Sequence, residues 1–200
     1  MDAELGRNPW QTALEGLSKS DFVTAPHFID EPLRQKWLSF ASDLYTDGLF
    51  RSARIGRNSE QTEQRSIRGD EICWMPEDRQ ETTEIMQWLQ MVADFLNRRF
   101  MLGLVDFETH FARYDSGTHY DRHMDNGRNT NRRVISLIIY LNHEWRHQWG
   151  GQLVIHNKTP HMIDPDPGRG VAFLSDQVEH EVLATSKPRW SLTCWFLRRE

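Results

Sequence analysis

Between Pro32 and Tyr45 the apolar residues Leu33, Trp37, Phe40, Ala41 and Leu44 recur at helical spacing, behind Asp30 as a capping residue and an early proline. The pattern predicts a helix that Asp47-Gly48 ends. A second helix fits Glu81 to Arg99, with Ile85, Trp88, Leu89, Val92, Phe95 and Leu96 on one stripe, acids at its start and arginines at its end. Both stripes read as packing faces. Between the helices, "RSARIGRNSEQTEQRSIRGDEICW" is polar and glycine-punctuated until Ile72. That is the composition of a mobile loop, about residues 52–70, entering a strand.

After Met101 the period changes. Val105, Phe107, Thr109 and Phe111 alternate with polar neighbours, and "RVISLIIYL" is a continuous apolar strand. "GGQLVIH", "GVAFL", "HEVLA" and "WSLTCWFL" follow at short intervals between Gly, Pro, Asp and Asn turns. Short strands with no helical pattern between them predict a β-sandwich or barrel, a jelly roll or a close relative, with the two helices packed outside. The fold class is mainly β with flanking helices. No composition shift marks a second domain, so the expectation is one domain over 1–200, with helical support over about 1–100 and a β core over about 101–200.

Charge and composition narrow the function. A net charge of −5, with only small basic patches at Arg132-Arg133 and Arg198-Arg199, argues against nucleic acid as a main partner. The N-terminal stretch has neither a basic n-region nor an apolar h-region, and no apolar run approaches a membrane span, so the expectation is a cytoplasmic protein with no membrane partner. The two cysteines, Cys73 and Cys194, lie in strand-like stretches and read as reduced buried thiols. Nine histidines, eight of them crowded between His110 and His180, turn attention to metal chemistry.

"HEWRH", His143 to His147, spells the HExxH signature of zinc peptidases. That chemistry needs both histidines on one helical turn. Here the motif directly follows a strand and is cut off by Gly150-Gly151, which leaves little room for a helix. "RYDSGTHYDRHMDNG" offers a better set: His123 and Asp125, two apart on extended backbone, point to one face. His180, opening a late strand, is placed to be the third ligand. Two histidines and a carboxylate leave open positions suited to non-haem Fe(II). Arg189, at the start of "RWSLTCWF", offers a forked donor for a carboxylate cosubstrate.

With these residues in view, the sequence resembles the Fe(II)- and 2-oxoglutarate-dependent dioxygenase superfamily, in its prolyl 4-hydroxylase branch. The resemblance rests on Tyr114, Gly117, Tyr120, His123 and Asp125, then "IIYLN", "GGQL", "HEV" and "RWSLTCWF". "IRGDEICW", Ile67 to Trp74, is similar to the stretch before the core in hypoxia-inducible-factor prolyl hydroxylases and their bacterial relatives. The resemblance implies a double-stranded β-helix (jelly-roll) core that uses Fe(II), 2-oxoglutarate and O2, with ascorbate as supporting reductant.

It further implies His123, Asp125 and His180 as iron ligands, with Arg189 and Tyr140 on the distal carboxylate of 2-oxoglutarate. Tyr114 would line the cosubstrate pocket, and Ile138, Leu153, Val182 and Thr193 would wall it. Tyr120, Arg133 and Trp195 would border the entry of the target proline, and Arg68 and Asp70 the end of a loop that closes over substrate. Asp125 sets the chain apart from related halogenases, which carry a small residue there. The implied partner is a protein or peptide containing a target proline, with elongation factor Tu a candidate. A hydroxylase of a free amino acid or small molecule, a non-catalytic metal-binding sensor and an HExxH zinc peptidase are the alternatives.

Overall fold

Two antiparallel sheets and three helices make up the described residues, 8–53, 66–126 and 132–199 of the computed structural model. In chain order they are α1 (Pro9–Glu15), β1 (Phe22–Ala25), α2 (Glu31–Thr46), β2 (Arg51–Ser52), β3 (Glu71–Trp74), α3 (Gln80–Phe100) and β4 (Leu104–Tyr114). There follow β5 (Tyr120–His123), β6 (Arg133–Tyr140), β7 (Leu153–His156), β8 (His161–Ile163), β9 (Gly170–Leu174), β10 (Glu179–Val182) and β11 (Arg189–Arg198).

The larger sheet runs β1-β9-β6-β11-β4-β3-β2 and the smaller β5-β10-β7-β8. This is the double-stranded β-helix arrangement. Among the described residues no helix is long and apolar enough to cross a membrane.

Both anticipated helices form. The Leu33 amide donates to the Asp30 carboxylate at 2.9 Å and so starts α2, while α3 lays Ile85, Leu89, Val92 and Leu96 fully into the core. Burying each such side chain stabilises the fold by about 1.5–3 kcal/mol relative to exposure. The sequence reading did not anticipate α1 or β1. Nor is the first half of the chain only helical support: β1 forms one edge of the large sheet, and β3 with β2 forms the other. These strands are two to four residues long, too short to show a period.

The continuous apolar run of β6 has a simple cause: the strand is buried on both faces. Ile135, Leu137 and Ile139 face the helices together with Phe111, Leu192, Cys194 and Phe196. Ile138 and Tyr140 face the small sheet together with Ala112, Tyr114, Leu153, Phe173 and Val182. Cys73 and Cys194 are free and buried. The functional side chains lie in the second layer, between the sheets.

One buried charge ties the layers together. Arg34 of α2, 1% exposed, donates to the Leu141 and Asn142 carbonyls just beyond β6 at 2.8 and 2.9 Å, and pairs with Glu31. The fork thus satisfies carbonyls that have left the ladder. Asn142 continues the stitch, accepting from the Trp190 amide at 2.7 Å and donating to the Pro165 carbonyl at 2.8 Å. The ends of β6 and β11 are held in register where Tyr140 and Arg189 emerge.

Candidate active site

His180 of β10 stands directly opposite His123 of β5 in the small sheet, so the antiparallel pairing brings two imidazoles to one face. Asp125 lies in the bend two residues beyond β5. One ligand atom from each of the three residues lies within 4.8 Å of the others. Asp125 Oδ1 is 3.6 Å from His123 Nε2 and 3.8 Å from His180 Nε2.

Each Nδ1 faces a backbone carbonyl, Asp121 at 2.8 Å and Val178 at 3.2 Å, which selects the tautomer with the Nε2 lone pair free for a metal. The remaining carboxylate oxygen, Asp125 Oδ2, accepts from the Ser136 hydroxyl at 2.6 Å, and Ser136 is in turn 2.8 Å from Ser175.

The electrostatics agree with a metal seat. Burial lowers the His180 pKa to about 4, against the pull of Asp125, and so keeps the ring neutral. Burial opposes ionisation of Asp125, but His180, His123 and Ser136 outweigh it and hold its carboxyl well below the usual range. A neutral His180 imidazole and an ionised Asp125 carboxylate, with His123 beside them, form a donor set that fits Fe(II) and leaves positions for exogenous ligands.

The same cavity is lined by Tyr114, Ile138, Leu153, Val182, Arg189, Thr193 and, unforeseen, Ala112 and Ser191. Arg189 pairs with Tyr114 across β11 and β4, and its guanidinium carbon lies 5.0 Å from the Tyr114 ring and 4.9 Å from the Tyr140 ring. Its Nε donates to the Gly151 carbonyl at 2.9 Å. Its Nη2 and the Tyr140 hydroxyl are buried without a hydrogen-bond partner. Two orphaned donors, one of them cationic, fit a carboxylate such as the distal group of 2-oxoglutarate. Burial raises the pKa of both Tyr114 and Tyr140, which keeps the phenols neutral.

The glycines of "GGQL" follow from this packing. At Gly151 a Cβ would lie 3.2 Å from Arg189 Cδ and 3.0 Å from Trp145, on backbone with φ +71°. His180 and Arg189 do not occupy adjacent strands, as a hairpin would place them. β10 and β11 belong to different sheets, and the two residues meet across the space between the layers.

Arg68, Asp70, Tyr120 and Trp195 also line the cavity, and Arg133 stands behind Trp195 rather than in the lining. Tyr120 stacks on His123 with centroids 3.6 Å apart, and the Arg68 guanidinium lies 4.7 Å above the Tyr120 ring. Arg68 is held by both oxygens of Asp70, at 2.7 and 3.0 Å. Arg133 lies 3.6 Å from the Trp195 ring and donates to Glu108 at 2.6 Å and to the Asp125 carbonyl at 3.2 Å. Of the expected substrate loop, residues 54–65 lie outside the described residues.

"HEWRH" forms no helix: 143–146 are irregular, and His147 opens a short 3-10 turn, with its Nδ1 2.9 Å from Asp164. His143, Glu144 and Arg146 are exposed, and Trp145 packs half-buried against Trp149. The zinc-peptidase geometry is absent.

Sequence reasoning missed Ser136, Ser175, His110 and Glu108. Ser136 and His110 share the cavity face of the large sheet with residues that were singled out, Ile138 and Tyr114, so strand parity was the signal that could have found them.

Comparison with known proteins agrees with this geometry. The family model described as the 2OG-Fe(II) oxygenase superfamily matches residues 109–197. A Pseudomonas putida prolyl-4-hydroxylase is 32% identical, with a TM-score of 0.85 over 95% of this chain and 99% of that one. A Trichoplax adhaerens prolyl hydroxylase, solved with a hypoxia inducible factor oxygen degradation domain peptide, is 26% identical, with a TM-score of 0.82 over 94% and 88%. Prolyl hydroxylase EGLN3 of Mus musculus is 28% identical over 92% of this chain and 81% of its own length.

Proposed function

The chain belongs to the 2OG-Fe(II) oxygenase superfamily as a prolyl hydroxylase-like, 2-oxoglutarate-dependent dioxygenase, and from that premise we propose that it is a protein prolyl 4-hydroxylase. One observation carries the chemistry. A single cavity is lined both by the His123-Asp125-His180 cluster and by Arg189, whose Nη2 is orphaned and whose guanidinium carbon lies 4.9 Å from the Tyr140 ring. The prolyl assignment is supported by the likeness to the Pseudomonas putida enzyme over 99% of that chain.

In this reading O2 and 2-oxoglutarate are consumed together. One oxygen atom goes to proline and the other to succinate, with release of carbon dioxide. Iron held by His123, Asp125 and His180 supplies the oxidising chemistry when bound.

The chain's own residues position and exclude. Arg189 and Tyr140 bind the distal carboxylate, where the buried setting strengthens the charge-assisted contact. Tyr114, Ile138, Leu153, Val182 and Thr193 fit the length of the cosubstrate and keep water out. Tyr120, Arg133 and Trp195 border the peptide, and the Arg68-Asp70 pair fixes the edge on which it lies. All 200 residues act as one domain, a reading supported by the large sheet, which carries both cores on its two faces. Two buried free thiols are consistent with a reducing cytoplasm. Elongation factor Tu or another cytosolic protein is the proposed target, and ascorbate the supporting reductant.

The test is incubation of purified protein with Fe(II), ascorbate, 2-oxoglutarate and host extract, with succinate assay and mass spectrometry. Formation of succinate with one added oxygen on a protein proline is expected. Succinate without an oxidised proline would reject the substrate class, and no succinate would reject the chemistry.

A further inference from the structure

His110 lies within β4, directly opposite Trp74 of β3 on one side and Thr193 of β11 on the other. Cross-strand partners share a face, so the imidazole stands on the cavity side of the sheet. It lines the cavity and is 1% exposed. Its ring is 5.0 Å from that of Trp74 and 5.0 Å from that of Trp195. The two indoles therefore fix its plane.

Packing alone would be served by a phenylalanine. What packing does not explain is Nδ1, which is buried with no hydrogen-bond partner, and Trp195 Nε1 on the same wall is buried and unpartnered too. Buried polar atoms in native proteins are normally paired, so two orphans beside one cavity point to a ligand that supplies the partners. That ligand is not the cosubstrate carboxylate, whose cationic donor Arg189 lies four residues away along β11, opposite Tyr114 rather than His110.

Burial, reinforced by the charges of Arg68 and Arg133, lowers the His110 pKa to about 3. The ring is neutral at neutral pH and offers one N–H. Trp195 can only donate. A proline residue has no N–H of its own, so what a proline-centred segment presents to a wall is its flanking carbonyls.

We propose that His110 is a peptide-recognising residue, its Nδ1–H donating, beside the Trp195 indole N–H, to backbone carbonyls that flank the target proline. This inference rests on the prolyl hydroxylase reading and adds a specificity device to it. Trp74, 52% exposed, continues the same aromatic wall outward and covers the next residue of the peptide. The arrangement selects an extended segment whose carbonyls face β4 and β11. It disfavours a free amino acid, which lacks the preceding carbonyl.

The probe is the peptide that wild type hydroxylates best from a library of short peptides with one central proline and varied flanks. His110→Phe is expected to raise the KM for that peptide about tenfold, with kcat changed less than about twofold, the signature of lost uniform binding. His110→Gln, which keeps an N–H, should recover most of the loss. Should the Phe variant fail to fold, 15N NMR of the wild-type imidazole decides. Nδ1 of His110, assigned with the Gln variant, is expected to shift as the peptide saturates the zinc-substituted protein.

An unchanged KM in His110→Phe, or an Nδ1 signal that stays put at saturation, overturns the inference alone. A wild type that consumes 2-oxoglutarate but hydroxylates no library peptide overturns the prolyl reading and this inference with it.

Discussion

The Ser136 hydroxyl donates to Asp125 Oδ2 at 2.6 Å, while Oδ1 of the same carboxylate faces the two imidazole Nε2 atoms. One oxygen is thereby committed to the protein and the other is left open toward the imidazoles, an orientation that Ser136 fixes. Ser136→Ala should weaken metal binding by about 10- to 100-fold, the usual cost of losing such a supporting hydrogen bond. Anaerobic Fe(II) or Co(II) titration reads this directly. Ser136→Thr, which keeps the hydroxyl, should stay near wild type, and equal affinities in Ser136→Ala would remove the role.

Arg189 carries the only cationic donor in the cavity among the described residues whose guanidinium nitrogen is orphaned and which sits between Tyr114 and Tyr140. Arg189→Ala removes a charge-assisted contact made in a buried site, each such bond contributing about 1.5–3 kcal/mol. The 2-oxoglutarate KM should rise about 100-fold. Tyr140→Phe, losing one neutral donor, should raise it less, by about tenfold. Succinate formation against 2-oxoglutarate concentration checks both, and a KM unchanged in Arg189→Ala would take the cosubstrate away from this residue.

The His123-Asp125 pair and the His143-His147 pair make opposite forecasts. His123→Ala and Asp125→Ala should each abolish metal binding and succinate formation. His143→Ala and His147→Ala should leave iron stoichiometry intact, because one side chain is solvated and the other leans on Asp164. Metal analysis of the four purified variants decides. Iron lost from the second pair and kept in the first would return the metal to HExxH.

What could be read from the chain beforehand follows a physical rule. The α2 and α3 stripes were legible because a period of 3.6 repeated over several turns, and β6 because a strand buried on both faces is apolar throughout. His123 and Asp125 were legible as a pair two apart. His180 could be joined to them only as a candidate, since its partner lies on a strand far away in sequence.

Ser136, Ser175 and His110 were not legible. A small polar residue inside an apolar strand looks like a break in the pattern until cross-strand register shows what faces it. Asn142 stood in the quoted "IIYLN", yet its contacts to Trp190 and Pro165 span 48 and 23 residues. No local signal carries them.

Asn142 is 3% exposed, and its amide is shared between two backbone groups that have no ladder partner at that point. Asn142→Leu, close in volume, would leave the Trp190 N–H and the Pro165 carbonyl unpaired. At about 1–3 kcal/mol for each of the two buried orphans, the loss of stability should be about 2–6 kcal/mol. Urea denaturation measures it. The start of β11 is freed next to Arg189, so the 2-oxoglutarate KM should rise as well, and a variant as stable as wild type would show that water replaces the amide without cost.

His110 also sets a pH dependence that can be isolated from the other titrating groups by difference. In the fold its pKa lies at about 3, lowered first by burial and then by Arg68 and Arg133, against 6.5 in the unfolded chain. Between those values the unfolded state binds the proton and the folded state does not. Stability therefore falls as pH falls through this window, with a limiting slope of about 1.4 kcal/mol per pH unit from this one group. His110→Phe has no proton to take up. Between about pH 7.5 and about pH 4.5 the metal-free wild type should lose about 3 kcal/mol more stability than the variant, from urea midpoints at both pH values. Every other group contributes equally to the two proteins and cancels. Parallel losses would mean that His110 is protonated in the fold, so that its ring would be a cation against Arg68 and Arg133 rather than the neutral donor facing the peptide.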